Sequence, residues 1–561
     1  MPYPPRALRR RPRPMTWPFL VLPILLGIVY WVVFAQSYTY TDKAPASRPY
    51  LIYRGDRQVF PVVVEGGEAY VPLSFIKEVL DPNIFWEEEG LVVVTTQDKV
   101  IKLGTDSLTA YVNQHPVELR FPVILDGNEP YIPATTLEIL YPVATFLWPD
   151  AGTFFVKRTD EEATVATALD SAIVREWPSS RARRVGVVEP GASFQIYDTV
   201  KDWYRVEVSG GLFGYVLAKD LGELETEGAD VPKSKPYEPS PLIGRKVSLV
   251  WEPVERYTPD PSSIGDLSGI NVVSPTWFRL GAIPGQVENY ADRRYVDWAH
   301  SKGHQVWALF SNSFDPDRTR TVLRDSLLRD QVIAQMLVYA EVYSLDGINI
   351  DFENVYQEDA PYLTQFVREM TPLFHQMGLT VSMDVTVKSL SPTWSLCYER
   401  ERLADAVDYI MLMAYDQYGG NSKVAGPNAA LPWTEWTIKT TLEEVPKEKL
   451  VLGIPFYTRL WRETLSDGEV KVTQRALGMK AARDWMAAEK VVPRLDEDSG
   501  MEYAQKKSGP DTYRIWLENA ESVRKRLELA KTYDLAGVAA WSRVFADSET
   551  WRVMEEFLLR D

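Results

Sequence analysis

Cysteine and histidine are nearly absent from this chain of 561 residues. Its single cysteine, Cys397, excludes a framework of intrachain disulfide bonds. Its four histidines lack the spacing of zinc ligands, so we expect no metal site. They stand at His115, His300, His304 and His375.

Basic residues are fewer than acidic ones, 61 against 78, and the formal net charge is −17. A phosphate backbone attracts a basic surface, so the excess of acidic residues argues against a nucleic-acid partner. The sequence contains no Gly-x-Ser-x-Gly element, no P-loop and no His-Glu-x-x-His pattern. We therefore expect neither nucleotide chemistry nor metal chemistry, and no cofactor.

Long apolar runs are missing except near the N-terminus. Residues 15–35 carry no charge over 21 positions, which is enough for a helix to cross a bilayer. Five arginines precede this run, and positive charge favours the cytoplasmic side. We predict a basic cytoplasmic segment over 1–14, a signal-anchor over 15–36 and an extracellular remainder on the cell wall side. The alternative is a cleaved signal peptide, but its apolar core would be shorter, and residues 34–37 match a cleavage site poorly.

A chain of this length needs several domains, and an internal repeat marks the first of them. The tripeptides Tyr-Val-Pro at 70–72 and Tyr-Ile-Pro at 131–133 lie 61 residues apart, each within a pattern of strand, proline turn, short helix and strand. The repeat predicts one small α+β domain over 49–158, built by duplication. It resembles the N-terminal domain of copper amine oxidases, which bacterial wall proteins reuse. With one histidine the segment implies no copper, and it suits a spacer or a protein-binding module.

Short strands separated by turn residues continue over 163–222. This pattern resembles a bacterial SH3 domain, which implies a small five-stranded β-barrel. Two interpretations of its Trp203 and Tyr215 stay open: they line a groove for a wall peptide, or they fill the core of so small a barrel. Residues 223–243 are rich in proline, glutamate and lysine and have no apolar period, which predicts an extended linker.

From residue 244 to residue 561, short apolar runs alternate with helical patterns. Continuous apolarity is typical of parallel strands that are buried on both faces. Eight such runs with helices between them predict an α/β fold, a (β/α)₈ barrel over 244–561. The runs begin at residues 247, 270, 305, 347, 379, 409, 450 and 537.

The spacing of the last two runs differs from that of the others. They begin 87 residues apart, at 450 and 537, and one helix would use fewer than half of those residues. We therefore predict a small subdomain inserted around 462–515 between strands seven and eight, where it would deepen the cleft.

The fourth run ends in polar residues at the edge of the barrel where catalytic groups gather. Side chains alternate along a strand, so Asn349, Asp351 and Glu353 point one way and Ile350 and Phe352 the other. Two carboxylates buried about 6.6–7 Å apart are costly, and their repulsion raises the pKa of one of them. A raised pKa suits a general acid. The alternative is a pair of rim carboxylates that hold a loop or a helix N-terminus.

The stretch DGINIDFEN at 346–354 resembles the strand-four pattern Asp-x-x-Asp-x-Asp-x-Glu of family 18 glycoside hydrolases. Asp346, Asp351 and Glu353 match this pattern. Asn349 departs from it at the middle acidic position, a variant found among members that attack spore and cell-wall peptidoglycan, and it puts in question the usual inward swing of an aspartate pair during turnover. Further matches lie at 273–278, 413–416, 453–461 and Trp541.

The resemblance implies hydrolysis with retention, assisted by the acetamido group of an N-acetylated sugar. Glu353 would be the proton donor, Asp351 would orient the acetamido group, and Tyr415 would hydrogen-bond to its oxygen. Trp541 would form the floor under the sugar. Further pocket candidates are Met413, Asp416, Asn349, Tyr457 and Arg459.

Three hypotheses for function follow. The first is a membrane-anchored peptidoglycan hydrolase, an N-acetylglucosaminidase, that acts outside a spore-forming bacterium during sporulation or germination. The second keeps the chemistry and changes the polymer to chitin or its oligosaccharides. The third is a non-catalytic glycan-binding protein with a lectin-like barrel, against which the presence of Glu353 argues.

Overall fold

The computed structural model describes residues 47–87, 90–229, 246–466 and 468–559. The predicted cytoplasmic segment at 1–14 and signal-anchor at 15–36 lie outside this part of the chain, as does most of the predicted linker. No helix within the described ranges is both long and apolar enough to span a membrane. The chain divides into two compact units: one takes in residues up to 92, 103–110 and 116–234, and the other takes in 93–102, 111–115 and the residues from 235 onward.

The duplicated segment folds as two copies of strand, helix and strand. Strands β1 to β13 are, in order, Tyr50–Tyr53, Asp56–Pro61, Val63–Glu65, Glu68–Pro72, Phe85–Glu87, Leu91–Thr95, Val100–Gly104, Thr109–Val112, His115–Glu118, Ile124–Asp126, Glu129–Pro133, Val143–Trp148 and Thr153–Arg158. Helix α1 is Leu73–Phe75, which Ile76–Leu80 extends as a π-helix, and α2 is Ala134–Leu140.

The two copies meet along their proline-ended strands. Strand β4 pairs with β11 in antiparallel register, with Tyr70 opposite Pro133 and Tyr131 opposite Pro72. A helix begins directly after each of these two prolines. Proline lacks the N–H that would continue a ladder, and its fixed φ suits a helix start. A proline therefore ends the strand in both copies.

Residues 163–227 form a seven-stranded antiparallel sheet in the order β16-β15-β19-β18-β17-β14-β20. These strands, β14 to β20, are Ala163–Thr167, Ala172–Arg175, Arg184–Val188, Ser193–Val200, Trp203–Val208, Leu212–Leu217 and Glu225–Glu227. Trp203 is buried, so it packs in the core, whereas Tyr215 is half-buried. Gly214 has a φ of 143°, and a Cβ there would lie 2.3 Å from the backbone oxygen of Arg175, so only glycine fits where these strands meet.

The C-terminal region is a closed barrel of eight parallel strands, as the sequence predicts. The barrel strands are β21 (Val247–Glu252), β22 (Val272–Pro275), β25 (Gln305–Ser311), β26 (Gly347–Asp351), β27 (Thr380–Thr386), β28 (Tyr409–Met413), β29 (Leu450–Pro455) and β35 (Gly537–Trp541). Pairing of β21 with β35 and of β22 with β25 closes the sheet. A short hairpin, β23 (Phe278–Leu280) and β24 (Val287–Asn289), extends one edge. The prediction of the fold is therefore confirmed.

Helices surround the barrel, and buried side chains fill it. Helices α3 to α8 are Arg293–Ser301, Pro316–Leu323, Ser326–Tyr343, Ala360–Gln376, Arg400–Ala406 and Leu431–Thr441, and the last two, α10 and α11, are Ala520–Thr532 and Ser548–Leu559. Asp292, Asp315 and Asp325 cap the starts of α3, α4 and α5 by accepting backbone N–H bonds. Alternate strand residues such as Leu249, Trp251 and Trp307 form the interior cluster.

The predicted insertion between the seventh and eighth barrel strands is a small α+β subdomain. It contains β30 to β34, which are Tyr457–Ser466, Glu469–Gly478, Arg494–Asp496, Met501–Ser508 and Asp511–Trp516, and helix α9, Met479–Glu489. The sheet order is β31-β30-β34-β33-β32. Leu460, Leu477, Ala482 and Ile515 form its own apolar core.

Candidate active site

A cavity of about 440 Å³ lies at the carboxyl ends of the barrel strands. Its volume is within the range of about 300–1,000 Å³ that is typical of ligand pockets. Seven of the predicted site residues line it: Glu353, Asp351, Tyr415, Trp541, Asp416, Met413 and Tyr457. The other two, Asn349 and Arg459, are buried and contact residues of the lining.

The two carboxyl groups of the fourth barrel strand differ in their surroundings. Asp351 ends β26 and is buried, and burial raises its pKa to about 7. Glu353, two residues later, is half-buried, and burial followed by the nearby carboxyl groups of Asp351 and Asp416 raises its pKa well above the usual range. Burial is thus the larger cause of the raised pKa of Glu353. The repulsion between carboxylates, which we expected from the sequence, is the smaller cause. This shift favours the protonated form of Glu353.

Asp346, the first acidic residue of the strand-four pattern, lies just before β26, at the end of the strand away from the cavity. Its carboxylate accepts a hydrogen bond from the backbone N–H of Val306 at 2.8 Å and lies 2.8 Å from His300 Nε2. It ties β26 to the neighbouring β25. Its contacts make it structural.

Asn349 is fully buried in the centre of a hydrogen-bond network. Its Oδ1 accepts from the indole N–H of Trp251 at 2.8 Å and from the Ser274 hydroxyl at 3.4 Å. Its Nδ2 donates to Ser382 Oγ at 3.1 Å and to Asp384 Oδ1 at 2.7 Å. Because each amide atom has two partners, the side chain is held in one orientation.

Asp384 is a further carboxyl group in the lining of the cavity, and it was not predicted from the sequence. It lies on β27 and is buried, and burial, then the charge of Asp351, raises its pKa well above the usual range. A signal was present: Asp384 is the one charged residue of the run at 379–387, where an unpaired carboxyl group is costly.

Asp416, in the loop after β28, also lines the cavity. Asp416 Oδ1 accepts from the Tyr457 hydroxyl at 2.5 Å and from Arg459 Nη2 at 2.5 Å. The backbone N–H of Asp416 donates to Asn428 Oδ1 at 3.2 Å. Arg459 therefore acts through Asp416, which it holds in place.

Aromatic side chains line the cavity. The ring centroid of Trp541 lies 6.1 Å from that of Trp251. Phe314 and Trp394 stack with their ring centroids 6.3 Å apart and form an aromatic wall, and both are partly exposed. Burial raises the pKa of Tyr415, which keeps its hydroxyl a neutral donor. Such faces pack against the apolar side of a sugar ring, and the polar groups meet its substituents.

Family models match three parts of the chain, in the order that the sequence led us to expect. Residues 56–140 match the copper amine oxidase N-terminal domain, residues 170–222 match the bacterial SH3 domain, and residues 293–546 match glycosyl hydrolases family 18. The third match covers the strand ends that line the cavity from β25 to β35.

Similar proteins match the same region. The uncharacterized glycosylase YvbX of Bacillus subtilis is 24% identical over 284 residues, which are 48% of this chain and 80% of YvbX. The cortical fragment-lytic enzyme of Bacillus subtilis is 22% identical over 44% of this chain and 58% of its own length. Human di-N-acetylchitobiase is 26% identical over 48% of this chain and 77% of its own length.

Solved structures have the same barrel. A chitinase from Chromobacterium violaceum superimposes with a TM-score of 0.51 and 22% identity, covering 56% of this chain and all of the chitinase chain. At this identity the likeness shows the fold. Together, the family match, the cavity and the closed barrel show that the C-terminal region of this chain is a glycosidase domain of glycosyl hydrolase family 18.

Proposed function

We propose that the chain is a membrane-anchored enzyme that cleaves β-1,4 bonds next to N-acetylglucosamine in peptidoglycan, outside the cell. One observation carries the proposal: Glu353, Asp351, Tyr415 and Trp541 line a single cavity. A proton donor, a second carboxyl group and a neutral hydroxyl suit hydrolysis that is assisted by the substrate's own acetamido group.

In the first step Glu353 donates its proton to the glycosidic oxygen as the bond from that oxygen to C1 breaks. The raised pKa of Glu353 favours the protonated form that this step needs. The acetamido oxygen of the sugar on the non-reducing side forms the new bond to C1, giving a cyclic oxazolinium ion. No side chain is needed as the nucleophile.

In the second step Glu353 acts as a base. Its carboxylate takes a proton from water, the water oxygen bonds to C1, and the oxazolinium ring opens. Two inversions at C1 give overall retention of configuration. Glu353 is again protonated, so the cycle closes.

Asp351 and Tyr415 orient the acetamido group during both steps. Asp351 accepts a hydrogen bond from the acetamido N–H and stabilises the positive charge of the ion, and the Tyr415 hydroxyl donates to the acetamido oxygen. Trp541 packs against the apolar face of the sugar. Asp416, held by Tyr457 and Arg459, faces the same ring, and Met413 contacts its edge.

Peptidoglycan is the polymer that the rest of the chain favours. The barrel is similar to the cortical fragment-lytic enzyme, and residues 170–222 match the bacterial SH3 domain, which we propose contacts wall peptides. The uncharged run at 15–35 after five arginines supports a single-pass anchor with the barrel at the cell wall.

The proposal is tested by digesting purified peptidoglycan with the full-length protein and identifying the new reducing ends by mass spectrometry. We expect N-acetylglucosamine ends from the wild type and none from Glu353→Gln. Glu341→Gln, which removes an exposed carboxylate from helix α5, is the matched control and should keep full activity. Absence of new ends in the wild type would contradict the peptidoglycan assignment.

Chitin oligosaccharides are the second candidate substrate, favoured by the similarity to human di-N-acetylchitobiase. The same preparations are therefore incubated with chitotetraose. Cleavage of chitotetraose without cleavage of peptidoglycan would replace the first proposal by this one. A wild type that binds either glycan and cleaves neither would contradict both.

A further inference from the structure

A second cavity lies in the inserted subdomain. Its volume is about 470 Å³, and strands β30, β31, β33 and β34 and helix α9 contribute its lining. The described residues that line it all differ from those that line the active-site cavity. We propose that this groove is a second binding site for an acidic glycan, in which a sugar ring packs against aromatic side chains and a carboxylate attached to that sugar pairs with an arginine.

The groove exists because helix α9 covers only part of one face of the subdomain sheet. Leu460 and Ile515 pack with Ala482 of the helix in the apolar core. Arg462 and Tyr513 are register partners two residues further along the same strands, so they lie on the same face. This part of the face continues past the helix and forms the floor of the groove.

The opposite face of the sheet is turned toward the barrel. Trp461 donates its indole N–H to the backbone oxygen of Gly426 at 2.8 Å, and Arg459 donates to Asp416 of the active-site cavity. Both donors are adjacent to Leu460 in the strand, so their side chains point to the other face. A sugar bound in the groove is therefore not the sugar at which cleavage occurs.

Two aromatic side chains provide a surface for a sugar ring. Trp485 of α9 and Tyr513 of β34 line the groove with their ring centroids 6.3 Å apart and their planes tilted by 46°. Both are half-buried, so packing holds them in place while part of each ring stays accessible. Aromatic rings at this exposure pack against the apolar side of a sugar, and nearby polar groups meet its substituents.

The charges of the groove leave one cation without a partner, although the whole chain has a net charge of −17. Arg462 pairs with Asp511 at 2.8 Å, and Lys506 pairs with Glu489 at 3.2 Å. Arg475 is exposed, and no carboxylate of the described residues forms an ion pair with it. A guanidinium binds a carboxylate through two parallel N–H bonds, so a carboxylate of the ligand would complete this site.

Aromatic rings beside an unpaired arginine favour an acidic sugar over a neutral one. The inference rests on the proposed function, because it concerns the polymer named there: peptidoglycan carries carboxylates, either on muramic acid itself or on the attached peptide, whereas chitin carries none. A groove away from the cleavage point would hold a second part of the same strand and keep the enzyme on the polymer.

The test measures binding of a peptidoglycan tetrasaccharide from which the peptides have been removed, so that each muramic acid has a free carboxylate. The full-length protein carries Glu353→Gln so that the ligand is not cleaved, and isothermal titration calorimetry counts the sites. We expect two sites per chain, the active-site cavity and the groove. Adding Arg475→Gln should weaken the groove site about tenfold, because a charge-assisted hydrogen bond is lost.

Trp485→Leu tests the aromatic surface. It keeps an apolar side chain on α9 and removes the ring, so the groove site should weaken about fivefold. Arg552→Gln, which removes an exposed arginine from helix α11, is the matched control and should leave both sites unchanged. An unchanged groove site in Arg475→Gln would overturn the inference.

Two further ligands test the charge and its source. The tetrasaccharide with its carboxylates converted to amides should bind only in the active-site cavity, and equal binding of the acid and the amide in the groove would overturn the inference. A tetrasaccharide that keeps its peptides separates the two sources. Tighter binding of the peptide-free form would assign the carboxylate to muramic acid, and tighter binding of the peptide form would assign it to the peptide.

The number of sites separates this inference from the proposed function. A single site that Arg475→Gln weakens would show that the groove binds the acidic glycan and the active-site cavity does not, which would contradict only the proposed function. A single site that Arg475→Gln leaves unchanged would overturn only the inference.

Discussion

Two clusters of buried carboxyl groups in the barrel region have pKa shifts of opposite direction. On helix α6, Glu369 faces Arg329, whose guanidinium donates to it at 2.9 Å, and Lys102 lies 3.2 Å away. Burial raises the pKa of Glu369, but these cations outweigh it and hold the pKa below its usual value. In the cavity, burial raises the pKa of Asp351, Glu353 and Asp384, and no described cation pairs with them.

The difference separates a structural charge from a reactive one. A buried carboxylate with a cation is fixed in its ionised form and holds elements together. A buried carboxyl group without a cation keeps its proton near neutral pH and is able to give it away.

Removing the cation from the structural cluster should have the largest effect. Arg329→Met leaves Glu369 buried with less counter-charge, so we expect a loss of about 3–5 kcal/mol in the free energy of unfolding. Chemical denaturation followed by tryptophan fluorescence measures it. Arg293→Met, which breaks an exposed ion pair with Asp297, is the control and should change stability little. Equal losses of stability in the two variants would show that the buried ion pair of Glu369 is no more important than an exposed one.

Removing the neutral donor of the cavity should affect catalysis and leave stability nearly intact. For Tyr415→Phe we expect kcat to fall about 10²–10³-fold, because a hydrogen bond to the developing charge is lost. Steady-state kinetics on the polymer that the wild type cleaves gives kcat and KM. A change confined to KM would contradict the role of this hydroxyl.

The contributions of Asp351 and Glu369 to the free energy of unfolding should change with pH in opposite directions. The pKa of Asp351 is raised in the folded state, so its penalty on stability is absent below about pH 4, grows as the pH rises toward 7 and is constant above. Asp351→Asn removes this penalty and should stabilise the protein by about 4 kcal/mol above neutral pH.

Glu369→Gln is the counterpart. The pKa of Glu369 is lowered in the folded state, so its contribution is present above the unfolded pKa of about 4.3 and is lost in acid. The variant should be less stable than the wild type at neutral pH, and the gap should narrow in acid. Thermal unfolding across this pH range measures both variants, and parallel curves for the two would contradict the assignment.

The smallest effect is expected at the aromatic wall. Trp394→Ala removes one partner of the stacked pair with Phe314. We expect a loss of about 1 kcal/mol in the free energy of substrate binding, so that KM rises roughly fivefold while kcat is unchanged. Trp436→Ala, which removes a similarly exposed indole from helix α8, is the control and should leave KM unchanged. An equal rise in both variants would show that the wall does not contact substrate.

The barrel could be predicted from the sequence, because its signals are local. Each of the eight apolar runs contains a barrel strand, and the long spacing before the last one holds an inserted subdomain. Residues 349 and 351 lie on β26 and Glu353 follows two residues after its end, so alternation along the chain was enough to predict that Asp351 and Glu353 reach one cavity. The repeat at 70–72 and 131–133 is also local, and its two strands pair directly.

Only the tertiary structure decided which groups meet from different strands and how strongly each is buried. Asp384 and Asn349 are 35 residues apart, and Arg459 and Asp416 are 43 apart. Such contacts depend on the register of neighbouring strands, which no local pattern states. Burial, the largest cause of the raised pKa of Glu353, likewise comes from all the elements packed around the cavity, so it appears only once the chain is folded.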